Sequence, residues 1–147
     1  MGKIFLAYSS ALLISLQPAV WAAESPTLLR SQSAKAIDAL LEQWSSAWQQ
    51  QLLKPYLASY ADTFTPEGGL TLAQWRTQRE QRVLAGEFVQ IRLRDVEIVA
   101  QQLDTAEVRF VQDYRSNLLR ERNRKTLWLV REHGQWKIQR ELAAPAP

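Results

Sequence analysis

The sequence predicts an α+β fold in which three N-terminal helices pack on a curved antiparallel sheet of about four strands, giving a cone. Three observations predict it. Apolar residues recur at three- and four-residue spacing as far as Ala85, and from Phe88 onward the period becomes two. Third, the alternate residues Ala106, Val108, Phe110, Gln112 and Tyr114 form an apolar strand face that ends in an amide and a phenol. An apolar face that turns polar at one end is the kind that lines a cavity.

The first helix is expected to start at Ser25 and Pro26, a side-chain cap followed by a proline whose missing N–H costs nothing in the first turn. Leu29, Ala36, Ile37, Leu40, Leu41, Trp44, Ala47 and Trp48 make its apolar stripe, and Pro55 is expected to end or kink it. Tyr56, Leu57, Tyr60, Ala61 and Phe64 form a second amphipathic segment, and Thr65 to Gly69 reads as a turn. Thr71 caps a third helix from Leu72 to about Ala85, with Gly86 as its stop. In the first strand Val89, Ile91 and Leu93 share one parity and Val96 and Ile98 the other, so a bulge is expected near Arg94 and Asp95. Strands near 105 to 118, 123 to 132 and 135 to 142 follow, the last two joined at His133 and Gly134. Residues 143–147 are expected to be a disordered tail.

Residues 1–22 read as a secretory signal peptide: Lys3, an apolar run from Ile4 to Leu16, Pro18, and small residues around Trp21. Cleavage is expected after Ala22 or Ala23, and an uncleaved anchor is the alternative. The apolar run falls short of the roughly 20 residues a bilayer span needs. The expectation is therefore a periplasmic protein with no stable membrane anchor after cleavage, whose residues 23–142 form one domain.

The chain has no cysteine, which excludes a disulfide framework, a thiolate metal site and a cysteine nucleophile. Packing must supply the stability, and Trp44, Trp48, Trp75, Trp128 and Trp136 can supply much of the buried area. The formal charge of +3 is a small arginine surplus, and losing Lys3 lowers it by one. Nucleic acid is therefore not an expected partner.

The order of Trp44, Trp48, Tyr56, Tyr60, Phe64, then Trp75 and Arg79, then Phe110, Gln112, Tyr114, Lys125, Leu127, and finally Trp136, Lys137, Ile138 and Glu141 carries a resemblance. It resembles the nuclear transport factor 2-like cone fold, shared by SnoaL-like and ketosteroid isomerase-like families. Within that fold it resembles the small domain at the C-terminus of some bacterial cell-shape L,D-transpeptidase or carboxypeptidase proteins. The transpeptidase cysteine nucleophile has no counterpart here, so the resemblance does not carry wall cleavage across.

The candidate ligand-binding residues are Tyr56, Tyr60, Trp75, Arg79, Phe110, Gln112, Tyr114 and Glu141. Gln112 and Tyr114 either orient a ligand in the cone or are satisfied internally. Arg79, one turn from Trp75, either clamps an anionic ligand or answers Glu141. Tyr56 and Tyr60 either line the cone mouth or simply pack. Arg115, Arg120, Arg122, Arg124 and Lys125 either dock an anionic surface or form a solvated loop. His133 is the single histidine and sits in a turn, so no metal site is expected, and no cofactor is implied. Asp113 has the wrong parity to share a pocket with Gln112, and no buried acid–base pair of the isomerase type can be recognised, so no catalytic residue is assigned.

The functional expectation is an exported, non-catalytic binding or accessory domain. It would recognise a cell-envelope component, either a peptidoglycan fragment or a wall-modifying partner, a link that comes from the resemblance alone. A small cofactor-free enzyme of isomerase or hydratase type is the alternative, and a purely structural subunit a third. A homodimer through the outer sheet face is also expected, that face carrying Val111 with either Trp128 or the pair Leu127 and Leu129.

Overall fold

The computed structural model describes residues 25–146. Helix α1 (Pro26–Gln49) starts as the sequence requires, with the Leu28 N–H donating to Ser25 Oγ at 3.4 Å and proline in the first turn. Ile37, Leu40, Leu41, Trp44, Ala47 and Trp48 are buried, but Leu29 and Ala36 are exposed, so the buried stripe begins later than the periodicity implies. The helix does not run to Pro55. It ends at Gln49, and Gln51 takes a left-handed φ of 56°. Pro55 instead lies in the first turn of the short helix α2 (Leu53–Leu57), where its missing N–H has no intrahelical acceptor to lose.

Helix α3 (Leu72–Val83) opens with a reciprocal capping box, in which Thr71 Oγ1 accepts the Gln74 N–H at 3.2 Å and Gln74 Oε1 accepts the Thr71 N–H at 2.9 Å. It stops at Val83, before the expected Ala85, and the chain reverses through Gly86 at φ 80°.

The strands β1 (Val89–Gln101), β2 (Thr105–Ser116), β3 (Arg120–Glu132) and β4 (Gln135–Pro145) form one antiparallel sheet in sequence order, curved and unclosed. The expected bulge is present: the β1–β2 register shifts between Arg94 and Glu97, with Asp95 at φ 52°. A further shift between Trp128 and Leu129 bends the β3–β4 pair. His133 (φ 50°) and Gly134 (φ 76°) make the two-residue hairpin that needs positive φ at both positions. The disordered tail expected from Ala143 is a correction. Because β3 already begins at Arg120, Lys125 and Arg124 offer ladder partners to Ala143 and Ala144, and β4 continues to Pro145. The proposed leader at 1–22 and Pro147 lie outside the described residues. No described helix is long and apolar enough to cross a membrane.

The concave face of the sheet meets α1 through Val89, Ile91, Val108, Phe110, Leu127, Leu129, Trp136 and Ile138, and α3 adds Trp75 and Val83. Leu127 and Leu129 therefore point inward, and the outward residue between them is Trp128, half-buried. The outer edge of β4 is covered by the segment after α2. Ala61 N–H donates to Ile138 O and Ile138 N–H to Ser59 O, both at 2.9 Å, so the outward ladder groups of Ile138 are satisfied.

Candidate functional site: a polar network under a cationic cleft

Alternation along β4 places Glu141 on the concave face, where its side chain is only 3% exposed. Lys125 reaches it from β3, 5% exposed, and donates Nζ–H to Oε1. Lys125 is thus not part of a solvated loop, as its arginine neighbours implied; it shares inward parity with Leu127 and Leu129 in mid-strand. Arg79 Nη2 approaches the same Oε1 at 3.5 Å from α3, and its guanidinium lies 5.6 Å from the centre of the Trp75 ring. Tyr60 donates its hydroxyl to Glu141 Oε2 at 2.9 Å. Its oxygen accepts Trp44 Nε1–H at 3.0 Å and contacts Tyr56 Oη at 2.8 Å. Since the Tyr60 proton is given to Glu141, Tyr56 must be the donor in that last bond.

The energetics follow from this wiring. Burial alone would raise the Glu141 carboxyl, but the Lys125 ammonium and the Arg79 guanidinium outweigh it and hold the group down at about 2. Burial works against the Arg79 charge, and Glu141 together with the neighbouring Tyr56 and Tyr60 outweighs it, so its pKa is raised. Burial raises Tyr56 to about 12. It lifts Tyr60 well above the usual range, reinforced by the Glu141 charge. The assembly is one carboxylate between two cations with both phenols kept neutral.

Above this network a cleft of about 300 Å³ opens between α3 and the sheet, lined among others by Trp48, Arg79, Arg82, Gln112, Asn123 and Lys125. Arg82 pairs with Glu121 across it and stacks 4.4 Å from the centre of the Tyr114 ring. Of the charged groups in the network and cleft, Arg79, Arg82 and Lys125 outnumber Glu121 and Glu141 by one positive charge. Two buried polar atoms of the lining residues, Gln112 Oε1 and Trp48 Nε1, have no hydrogen-bond partner among the described residues. Gln112 is 1% exposed and so is Trp48. Leaving one such atom buried and unpaired costs about 1–3 kcal/mol.

A larger groove, about 720 Å³, runs between the first half of α1 and the hairpin end of β4. It also holds two unpartnered atoms, Arg131 Nε and Trp136 Nε1, but Arg131 already lies over the Trp136 ring at 4.9 Å. Fewer charged groups converge there, so the smaller cleft is the better candidate.

The structure brings Tyr56, Tyr60, Arg79 and Glu141 into one network with Trp75 beside it, and sets Gln112 at the cleft. Tyr56 is fully buried, and Tyr60, though largely buried, borders a separate groove together with Phe64 and Trp75. Phe110 packs edge-on to Trp44 in the core, and Tyr114 lies under Arg82. Asp113 faces outward to Arg94 and Arg122, as its parity requires. Sequence reasoning missed Lys125, Trp48 and Arg82. For Lys125 the parity shared with Leu127 was an available signal.

A concave four-stranded sheet closed on one side by three helices, with a polar cleft beneath them, is the NTF2-like architecture. The family model described as the Cds6 C-terminal NTF2-like domain matches residues 36–142, and the chain belongs to that family. Solved structures share the fold, among them the following three. Bd1075 of Bdellovibrio bacteriovorus is 23% identical with a TM-score of 0.72, over 84% of this chain and 44% of that one. A candidate scytalone dehydratase from Novosphingobium aromaticivorans is 14% identical with a TM-score of 0.71, over 82% and 89%. The helical cell shape determining protein Pgp2 of Campylobacter jejuni is 21% identical with a TM-score of 0.63, over 71% and 38%. The matched region thus spans less than half of Bd1075 and of Pgp2. No curated protein matches by sequence.

Proposed function

We propose that this chain is an exported, non-catalytic binding or accessory domain whose cleft recognises an amide-bearing component of the cell envelope, such as a peptidoglycan fragment. The observation that carries the reading is the unpartnered pair at the cleft. Both atoms are sealed from solvent, so a ligand meets them only when the cleft side chains shift; Trp48 Nε1–H then offers a donor and Gln112 Oε1 an acceptor, the complement of the C=O and N–H of a peptide bond or an N-acetyl group. The single positive surplus beside them favours a ligand that also carries a carboxylate. Kinship with a protein named for determining helical cell shape supports the envelope as the setting, and the leader-like residues 1–22 support the periplasm. A second copy, met across the outer sheet face at Trp128, belongs to the same reading and would show as dimer mass in sedimentation.

An enzyme of dehydratase or isomerase type is the second reading, favoured by the candidate dehydratase that shares the fold. Such chemistry needs a carboxyl tuned toward neutral pH, whereas Glu141 is tuned the opposite way. Binding is therefore preferred. The test is a titration with soluble peptidoglycan fragments followed by tryptophan fluorescence, alongside Gln112→Leu and Trp48→Phe. We expect saturable binding that weakens about tenfold in either variant, the value of one hydrogen bond in an enclosed site. Binding indifferent to both changes would sink the cleft as the site.

A further inference from the structure

We propose that the end of the molecule carrying the β2–β3 turn docks reversibly on an anionic phospholipid surface. Strand parity puts Arg92 and Arg94 of β1, Arg115 of β2, and Arg120, Arg122 and Arg124 of β3 on the convex face, all exposed. The register sets Arg115 opposite Arg120 and places Asp113 between Arg92 and Arg122. With strands roughly 5 Å apart and same-face residues roughly 7 Å apart, these arginines form one contiguous patch. Asp113 is the carboxylate within it, holding Arg94 and Arg122 at 2.7 Å each. The patch therefore concentrates more positive charge than the +3 surplus of the whole chain.

Charge alone fits any polyanion; the apolar tip beside it selects a bilayer. Leu118 is 69% exposed and Leu119 40%, in the turn between Arg115 and Arg120. Leu84 and Phe88 are 49% and 39% exposed in the turn after α3. The two turns are held together, because Glu87 N–H donates to Asn117 Oδ1 at 2.9 Å. Four exposed apolar side chains thus sit at one end of the molecule, beside the arginine patch. Glu87 and Glu121 are the acids at that end, Glu121 already paired with Arg82, and the local balance stays strongly positive. Apolar side chains that enter the acyl boundary beside arginines that meet phosphates are the two parts of a peripheral membrane contact. A soluble anionic polymer would give the leucines no apolar partner.

The test uses the chain from residue 23, the form expected after removal of the leader, which contains the core cluster of the described residues. Cosedimentation is measured with phosphatidylcholine vesicles and with vesicles containing phosphatidylglycerol, and soluble polyphosphate serves as competitor. We expect binding to the anionic vesicles alone, weakening with salt. Arg115→Glu/Arg120→Glu should lower it at least about twentyfold, from about fivefold per arginine. Leu118→Ser/Leu119→Ser should lower it about tenfold. Both pairs are exposed, and an unchanged Tm confirms the fold. Absence of binding, or equal binding to neutral vesicles, overturns the proposal. So does binding that ignores the leucine changes and is displaced by polyphosphate, which would assign the patch to a soluble polyanion.

Discussion

Glu141 is the residue on which most of the interior polarity depends. Replacing it by Gln leaves Lys125 and Arg79 without their carboxylate, and breaking a buried pair from one side costs about 3–5 kcal/mol. Lys125→Met should cost somewhat less, because Arg79 still answers Glu141, and the double variant should cost less than the two together. Urea unfolding followed by tryptophan emission measures all three. A cost below about 1 kcal/mol for both single changes would mean that the network contributes little. The same carboxylate sets an acid limit. Its folded pKa of about 2 lies below the ordinary 4.5, so its contribution is full above that value and is lost as pH falls toward 2. The loss should be largely absent from Glu141→Gln. At this scale the sequence was legible where parity and chemistry agreed, as for Gln112 and the Arg79–Glu141 pair. It was not legible at Lys125, whose charge pointed to solvent although its register pointed inward.

Among the elements, the turns discriminate best between conformational and steric demands. Gly68 and Gly86 both hold left-handed φ, at 72° and 80°. A Cβ on Gly68 meets nothing within 4 Å, whereas on Gly86 it would lie 2.3 Å from Asn117 Oδ1. Gly68→Ala should therefore cost only the backbone term, about 1–2 kcal/mol. Gly86→Ala should cost more, since Asn117 must turn away and release the Glu87 N–H. Thermal unfolding of the two variants ranks them, and equal Tm losses would show that Asn117 moves freely. Thr71→Ala, which removes the capping box, should cost about 1 kcal/mol in the same assay. These elements were readable because glycine, threonine and proline act locally. The end of α1 was not, since Gln51 carries no signature of its left-handed turn, and Pro55 drew the boundary too far along the chain. The extension of β4 to Pro145 escaped for another reason: it depends on a partner strand beginning earlier, which no local pattern in Ala143 and Ala144 reveals.

At the scale of the whole molecule, the buried phenols tie alkaline behaviour to global unfolding. Tyr56 and Tyr60 sit between α1, α2 and β4, with Trp44 giving one hydrogen bond and Glu141 taking another. Neither can ionise without placing a second negative charge in a water-poor interior already occupied by Glu141. Burial is the larger cause, and both pKa values stand above the ordinary 10.0. The sign of the linkage is fixed: stability from these groups is full below the unfolded value near 10 and falls as pH rises toward the folded values. Phenolate absorbance reads this ionisation directly. The signal from Tyr56 and Tyr60 should appear only together with loss of native tryptophan emission, as one cooperative step. Tyr56→Phe should remove part of that step while preserving the Tyr60–Glu141 bond, so the remaining transition should stay coincident by both probes. Phenolate from either residue at a pH where emission is still native would mean that water reaches the network without unfolding. The cone would then be an open vessel at its base instead of a closed core beneath a cleft.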